Sequence, residues 1–304
     1  MKPVKQINIK EGMKVNELVG EMKQSGVMGA GRIGRAADIW ESMVKDEDCK
    51  VFLGLAGAMV PGGMKDIIID MLDSGWVDIL VTTGANLTHD LVEALGYNHL
   101  QGSSNVDDKE LHKKKIDRIY ESYMPNEVYE GMEDFFSKHF DKLSMTKSVN
   151  EFLWKLGALV DKKSILQSCS KNKIPVFCPA LIDSGIGLMV WGNLAKGKSI
   201  NLSEFEDLKE MLDIAWTCKK AGVVYVGGGV PKNHIQQAMQ FSKGAMYGVQ
   251  ITMDRPEPGG SSGAELREGI SWGKLNEKGE YIDVICDATI ALPLIHAALK
   301  DRIK

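Results

Sequence analysis

Six short apolar runs, rich in β-branched side chains, recur along the chain and are separated by longer segments with helical spacing. Each run is followed by glycine, aspartate or proline, which is typical of strands that end at a ligand-facing edge. Strands that alternate with helices in this way predict a parallel sheet covered by helices on both faces. The predicted strands are Lys50–Leu55, Val77–Thr82, Ile174–Cys178, Gly222–Val226, Gly244–Gln250 and Tyr281–Cys286.

The segments between these strands carry the spacing of amphipathic helices. The predicted helices are Val15–Gln24, Arg35–Lys45, Met64–Asp73, Leu87–Leu95, Asn126–Phe140, Val149–Val160, Glu204–Ala221, His234–Phe241 and Ile290–Ile303. Ser203 and Glu206 form a capping-box pattern at the start of the seventh helix. The charged segment Asp107–Arg118 is typical of a solvated helix or loop rather than a binding surface. We expect one large, doubly wound, Rossmann-like α/β domain over residues 1–304, with a helical N-terminal appendage at residues 1–48.

Composition narrows the class of protein. The chain has 304 residues, 44% of them hydrophobic, which suits a globular protein with a sizeable core. Its 37 basic and 41 acidic residues give a net charge of −4, so no basic footprint for nucleic acid is expected. No apolar run has the length of a membrane span, and Met1–Gln6 lacks the apolar stretch of a secretory signal. A cytosolic location is therefore expected.

The five cysteines are odd in number, widely spaced and without a CxxC pair. The six histidines are scattered. We therefore expect no metal site and no disulfide framework, but reduced and mostly buried thiols. The chain also lacks GxSxG and the Walker pattern GxxxxGK[ST], which argues against hydrolases of that type and against P-loop NTPases.

The segment Gly29–Gly34 matches the dinucleotide fingerprint GxGxxG. That fingerprint requires a buried strand immediately before it, so that the glycines form the turn from strand to helix. The preceding segment, Val15–Met22, has helical spacing instead. We interpret Gly29–Gly34 as a connection between two helices and not as a cofactor turn.

Three other glycine-containing segments lie where predicted strands end. They are Leu55–Gly63, Thr82–Asn86 and Val226–Gly229. Any one of them alone is equally well explained as a tight turn. Three at the carboxyl ends of parallel strands favour a nucleotide-sized crevice in which backbone amides approach a pyrophosphate.

Two aspartates extend this hypothesis. Asp287 follows the last predicted strand, and Asp183 follows the third. Either carboxylate could accept hydrogen bonds from ribose hydroxyls. Each is equally well placed to cap a helix, so both interpretations stay open.

Lys274 lies between an indole and apolar residues, shortly after a glycine-rich loop. A lysine in such a setting is a candidate for forming an imine. Glu268 and Trp272 could hold an alkylammonium ligand through an ion pair and a cation–π contact. Taken one at a time, a surface glutamate and a core tryptophan are the commoner explanations.

Several separated motifs, in order, resemble the deoxyhypusine synthase family. They begin at Val51 and run through Val81–Thr83, Met124–Glu127, Pro179–Asp183, Gly227–Val230 and Ser271–Lys274. The resemblance implies a Rossmann-like fold, a homotetramer and NAD used without net consumption. It also implies that spermidine is oxidised and that its four-carbon fragment passes as an imine to Lys274, then to a lysine of initiation factor 5A.

The resemblance also implies site residues. The NAD contacts would be Gly57, Ala58, Met59, Val60, Pro61, Thr83, Gly84, Ala85, Asp183, Gly228, Met253, Asp254, Asp287 and Ala288. The polyamine would contact Glu268, Trp272 and Lys274.

This chain departs from the family pattern around the polyamine. Leu188 and Ser261 stand where spermidine-using members have aspartates, and Asn233, followed by His234, stands where they have a histidine. A paired acidic motif after Val-Thr-Thr is Thr88–His89 here. Because lost carboxylates weaken contacts to ammonium groups, these departures concern which amine is bound and not the lysine chemistry. Three hypotheses follow: a divergent deoxyhypusine synthase, an enzyme that transfers the aminobutyl group from or to another amine such as agmatine, and an inactive NAD-binding regulatory subunit.

Overall fold

The computed structural model describes residues 1–303. The elements, in chain order, are α1 (Val15–Ser25), α2 (Met28–Lys45), β1 (Cys49–Leu55), α3 (Lys65–Asp73), β2 (Ile79–Thr82), α4 (Gly84–Ala94), β3 (Leu100–Gln101), α5 (Asp108–Lys113), β4 (Ile116–Ile119), β5 (Ser122–Pro125), α6 (Glu127–Leu143), α7 (Val149–Ala158), α8 (Ile165–Asn172), β6 (Val176–Phe177), α9 (Gly185–Ala195), α10 (Glu204–Thr217), β7 (Lys220–Val226), α11 (Gly229–Met239), β8 (Ala245–Thr252), α12 (Glu268–Ser271), β9 (Leu275–Ile285) and α13 (Ala288–Arg302). Within these residues no helix is both long and apolar enough to span a membrane.

The main sheet has six strands in the order β6-β2-β1-β7-β8-β9. Strands β1, β7, β8 and β9 pair in parallel, with Leu53 opposite Val224 and Val224 opposite Val249. These strands are apolar and almost continuously buried, as expected where helices cover both faces. All six predicted strands are confirmed as the strands of this sheet, and the predicted α/β class is confirmed with them.

The chain divides into two compact units, described here in turn. Unit 1 comprises Met1–Gly57, Trp76–Val81 and the chain from Lys209 onward. In it, α1, α2 and α13 pack together, and Arg302 donates to Asn16 at 2.6 Å and pairs with Asp38 at 3.0 Å. The N-terminal helices are thus held by the C-terminal helix through packing and charge.

The GxGxxG segment lies inside α2, which agrees with the interpretation that it is not a cofactor turn. Its interpretation as the connection between two helices is wrong, because α1 and α2 are connected by Gly26 and Val27. The predicted helix began at Arg35, which is wrong: α2 begins at Met28 and includes the glycines. A Cβ on Gly34 would lie 2.4 Å from Cβ of Lys23 in α1, and one on Gly31 would lie 2.7 Å from the Gly26 carbonyl carbon. The glycines therefore allow α1 and α2 to pack closely.

Unit 2 comprises Ala58–Gly75 and Thr82–Leu208. It contains helices α3 to α9 and the antiparallel sheet β3-β5-β4. Asp90 is fully buried in α4 and accepts hydrogen bonds from the backbone N–H groups of Ile165 and Leu166, at 2.8 and 3.0 Å. These are donors that the first turn of α8 leaves unpaired. Burial raises the pKa of Asp90 to about 6, although the two backbone donors act in the opposite direction. The carboxyl thus joins α4 to α8.

All nine predicted helices occur, with shifted ends. The helix predicted as Glu204–Ala221 ends at Thr217, because Lys220 and the residues after it pair with β1. Half of the predicted capping box is present: the Glu206 N–H donates to Ser203 Oγ at 3.2 Å. The Ser203 N–H donates to the Lys147 carbonyl at 2.8 Å and not to Glu206. The segment Asp107–Arg118, predicted as a solvated helix or loop, forms α5 and β4. Helices α8, α9 and α12 and strands β3 and β5 were not predicted. The cysteine thiols are free, and Cys49, Cys169 and Cys178 are buried, as expected.

Candidate active site

Four parallel strands of unit 1 end at one edge of the sheet, and the loops that follow them carry six of the predicted cofactor residues. These residues are Gly57 after β1, Gly228 after β7, Met253 and Asp254 after β8, and Asp287 and Ala288 after β9. Backbone hydrogen bonds continue past the strand ends, from Ala56 N to Val226 O at 2.9 Å and from Gly227 N to Ile251 O at 2.8 Å. The parallel register therefore brings these loops to a common edge.

Two glycines at this edge have backbone angles that other residues rarely adopt. Gly57 has φ of 78° and Gly227 has φ of 73°. At Gly228 a Cβ would lie 2.3 Å from Cα of Ser262. Gly228 thus serves a close approach of two loops, so the glycines are required by the local structure whether or not a cofactor binds.

The loop that contains Ser262 is held by a buried lysine. Lys232, in α11, donates to the carbonyls of Ser261 and Ala264, at 2.6 and 2.7 Å, and is only 1% exposed. Gln250 adds a hydrogen bond to the Ala264 carbonyl at 3.1 Å. Burial lowers the pKa of Lys232 to about 8, against the attraction of Asp283 and Glu268. Lys232 was not predicted as a site residue, because nothing near it in sequence marks it as buried.

Lys274 lies where this loop leads into β9. Its ammonium is 4.9 Å from the centroid of the Trp272 ring, and Gly273 between them has φ of 68°. The Lys274 N–H donates to Gly269 O at 2.9 Å, which closes the short helix α12. Lys274 is half-buried, while Trp272 is 58% exposed and Glu268 is exposed. The ammonium of Lys274 therefore lies over the indole, and the predicted cation–π contact of Trp272 with a ligand stays a prediction.

The other predicted site residues of unit 1 differ in their burial and in their hydrogen bonds. Asp287 caps α13 by accepting from the Thr289 N–H at 2.7 Å and from its hydroxyl at 2.6 Å, which is the capping alternative. Asn233 is exposed on α11. His234, beside it, is half-buried, and burial lowers its pKa. Ser261 lies in the loop held by Lys232 and uses its backbone carbonyl there.

In unit 2, the other predicted cofactor residues lie close together. Thr83 caps α4 by accepting from the Asn86 N–H, and Asn86 in turn accepts from the Met59 N–H at 3.2 Å. A Cβ on Gly84 would lie 2.5 Å from Cβ of Ser184. These contacts bring the segments of Ala58–Pro61, Thr83–Ala85 and Asp183 together. Asp183 is exposed, and the Ser184 side chain caps α9.

His89 belongs to a line of polar side chains within unit 2. Its Nδ1 lies 2.9 Å from Nε2 of His99, and Nδ1 of His99 lies 2.8 Å from Oε1 of Glu93. The other oxygen of Glu93 pairs with Lys65. Of these four residues only His89 was predicted as a site residue, since the spacing of the other three carries no recognisable signal. Within residues 1–303 no cluster of histidine, cysteine and carboxylate side chains is suited to a metal ion.

Comparison with known proteins identifies the family. The family model for deoxyhypusine synthase matches residues 17–299. "Probable deoxyhypusine synthase 1" of Methanosarcina acetivorans is 44% identical over 304 residues, which cover 99% of this chain and 95% of that protein. The Archaeoglobus fulgidus protein of the same name is 44% identical over 295 residues, covering 97% and 96%.

The fold agrees with this assignment. A solved structure from Entamoeba histolytica that carries the deoxyhypusine synthase name superposes with a TM-score of 0.62. It is 19% identical and covers 95% of this chain and 93% of its own, so the likeness concerns the fold. The sequence matches carry the family assignment itself. The chain belongs to the deoxyhypusine synthase family.

Proposed function

We propose that this protein is an aminobutyl transferase that uses NAD and acts through Lys274. The observation that carries the proposal is the half-buried Lys274 ammonium, 4.9 Å from the Trp272 ring, immediately before β9 begins. A neutral lysine amine condenses with an aldehyde or displaces an amine from an imine, so it can hold a four-carbon fragment covalently. The acceptor we propose is a lysine of initiation factor 5A, as in the family.

The residues at the strand ends suit NAD. Gly57 and Gly228 present backbone without side chains, and Gly228 at the N-terminus of α11 supplies no side-chain cap. The unpaired N–H groups of that eleven-residue helix can therefore face a pyrophosphate. Oxidised and reduced NAD would accept and return one hydride.

The choice of amine donor depends on the positions where this chain departs from the family's polyamine-binding pattern. Leu188 is 59% exposed on α9, and Ser261 and Asn233 carry no charge where spermidine-using members have ionisable groups. Spermidine is the donor by family membership, and a smaller amine such as agmatine or putrescine is the alternative that these residues favour. A regulatory subunit without activity is disfavoured because Glu268, Trp272 and Lys274 are all retained.

Borohydride trapping tests the proposal. The protein would be incubated with NAD and, separately, with spermidine, putrescine or agmatine, then reduced and digested. We expect a stable mass adduct on the peptide that contains Lys274 with at least one amine, and none when NAD is omitted. An adduct with agmatine or putrescine but not with spermidine would select the alternative donor. If no amine gives an adduct, the transferase proposal is wrong.

We also propose a homo-oligomer, a tetramer by analogy with the family. Helix α9 exposes an unusually apolar surface, including Leu188, Trp191 and Leu194, at 59%, 65% and 42%. Contiguous apolar surface of this kind marks sites of association. We expect Trp191→Glu to lower the molar mass measured by light scattering, whereas Lys196→Glu, at the end of the same helix, leaves the mass unchanged. Equal masses for both variants and the wild type would contradict a role for α9.

A further inference from the structure

The loop Ser261–Leu266, which leads to Lys274, is held by three polar side chains of unit 1. Lys232 donates to two of its carbonyls, at 2.6 and 2.7 Å, and Gln250 donates to one of the same carbonyls at 3.1 Å. Asp283 accepts from the last backbone N–H of the loop, at 3.1 Å. The position of the loop therefore depends on how firmly these three side chains are themselves fixed.

Two of these side chains belong to a polar row that crosses the sheet. The register of the strands places Tyr225 opposite Gln250 and Gln250 opposite Asp283. Residues paired across neighbouring strands point to the same face of a sheet, so the three share one face. A Cβ on Gly54, which is opposite Tyr225 on β1, would lie 3.1 Å from Ile235 of α11. The row therefore lies on the face that α11 covers.

Two polar atoms of this row have no hydrogen-bond partner among residues 1–303. They are the hydroxyl of Tyr225 and Oε1 of Gln250, and both side chains are fully buried. The orientation of the Gln250 amide is set by its nitrogen, which donates to the Ala264 carbonyl. An unpaired buried donor or acceptor costs free energy, and native proteins contain few of them. The two atoms are also complementary, because a hydroxyl can donate and an amide oxygen can only accept.

The ammonium of Lys232 lies beside both side chains. It is 6.0 Å from the centroid of the Tyr225 ring, and it shares the Ala264 carbonyl with the amide of Gln250. Burial lowers the pKa of Lys232 to about 8, so the amine is still mostly protonated at neutral pH. An ammonium has three protons, and carbonyls of the loop accept two of them. The third proton has no acceptor within residues 1–303, although the side chain is only 1% exposed.

A water molecule matches all three of these unpaired groups. It can accept from the Lys232 ammonium and from the Tyr225 hydroxyl, and it can donate to Oε1 of Gln250. Buried waters typically make about three hydrogen bonds, to polar groups that are otherwise unpaired. A metal cation is disfavoured by the neighbouring ammonium, and a chloride ion would leave the amide oxygen without a donor.

We propose that one ordered water molecule binds between Tyr225, Lys232 and Gln250, and that Tyr225 acts through it as a positioning residue for the loop that leads to Lys274. The water site stands on burial and hydrogen bonding. The effect on Lys274 rests on the proposed function, because it is measured as adduct formation. Tyr225 is buried beneath the loop and acts by fixing the two side chains that hold it.

Tyr225→Phe removes the hydroxyl and keeps the ring. When a water pairs the hydroxyl, the variant loses a hydrogen bond and is less stable. An unpaired buried hydroxyl would give the opposite sign, because its removal relieves the cost of burying it. We expect the equilibrium constant of unfolding, measured by urea titration, to rise by roughly 2- to 10-fold. An unchanged or lower constant would overturn the proposal.

A crystal structure of the wild type tests the water directly. We expect electron density for one water molecule within hydrogen-bond distance of both the Tyr225 hydroxyl and Oε1 of Gln250. A direct hydrogen bond between these two side chains, with no water between them, would contradict the proposed site.

The rate of borohydride-trapped adduct formation on Lys274 tests the positioning role. At equal fractions folded, we expect Tyr225→Phe to lower the limiting rate by roughly 2- to 10-fold, with an unchanged half-saturating concentration of NAD. A general loss of structure would change both quantities. Tyr247→Phe is the matched control, because the Tyr247 hydroxyl lies 3.4 Å from Asp46, near the amino end of β8, and it should keep both wild-type values.

The two proposals fail separately. A wild-type limiting rate in Tyr225→Phe, with the water present in the crystal, would refute the positioning role. If the wild-type protein forms no adduct with any amine, the transferase proposal is wrong, while the electron density and the unfolding constant still decide the water site.

Discussion

Replacing Lys274 by arginine is expected to abolish the borohydride-trapped adduct and to reduce aminobutyl transfer by on the order of 10³-fold or more, since the covalent carrier is removed. Arginine keeps the positive charge over the Trp272 ring, so the fold and the cation–π contact are retained. A guanidinium does not form an imine near neutral pH, because it stays protonated. Peptide mass analysis after reduction measures the adduct.

Lys278→Arg is the matched control, because Lys278 lies in β9, which begins directly after Lys274, and is exposed. We expect it to give the wild-type amount of adduct on Lys274. If Lys274→Arg still forms an adduct at wild-type rate on another lysine, Lys274 is not the carrier. Rates for both variants should be compared at equal fractions folded, checked by circular dichroism.

Replacing Lys232 by methionine is expected to destabilise the fold and to slow adduct formation on Lys274. The carbonyl of Ser261 loses its buried donor, while the carbonyl of Ala264 keeps the one from Gln250. A buried acceptor without a partner costs about 1–3 kcal/mol. Because this loop leads to Glu268, Trp272 and Lys274, its displacement should also lower the rate of adduct formation, by roughly tenfold for each 1.4 kcal/mol lost at the site.

Urea unfolding and the time course of trapping measure the two effects of this substitution. Lys243→Met, at an exposed lysine of unit 1, is the control and should change neither quantity. If Lys232→Met has wild-type stability and a wild-type rate of trapping, the buried lysine does not hold the loop in place. A loss of stability with an unchanged rate would restrict its role to folding.

The sheet could be predicted because its signal is local. Strands buried on both faces must be apolar over their whole length, so Val51–Leu55 and Val223–Val226 stand out between more polar segments. For the GxGxxG segment, local sequence excluded a structure instead of predicting one. The helical spacing before Gly29 correctly excluded a cofactor turn, although the close packing against α1 that explains Gly34 could be seen only in three dimensions.

The elements that were not predicted lack such a signal. Helix α9 is apolar on all sides and contains several glycines, so it has no amphipathic period to detect. The segment Asp107–Arg118 was interpreted as solvated because of its charge, yet part of it lines a cavity and Arg118 is paired with Asp108. Charge in a sequence does not say which ions are paired, since pairing depends on the chain that folds against them.

The sequence was sufficient to predict the fold class, the family and the neighbouring residues Lys274 and Trp272. It also gave the order along the chain of the loops that follow the strands. Each of these depends on residues that are adjacent in sequence. The tertiary structure alone decided the burial of Lys232 against the loop before Lys274, and the line from Lys65 through Glu93 and His99 to His89. The burial of a side chain, the position of its proton and its pKa depend on which other groups lie next to it in the folded protein. In this protein such contacts join residues as far apart in sequence as Asn16 and Arg302.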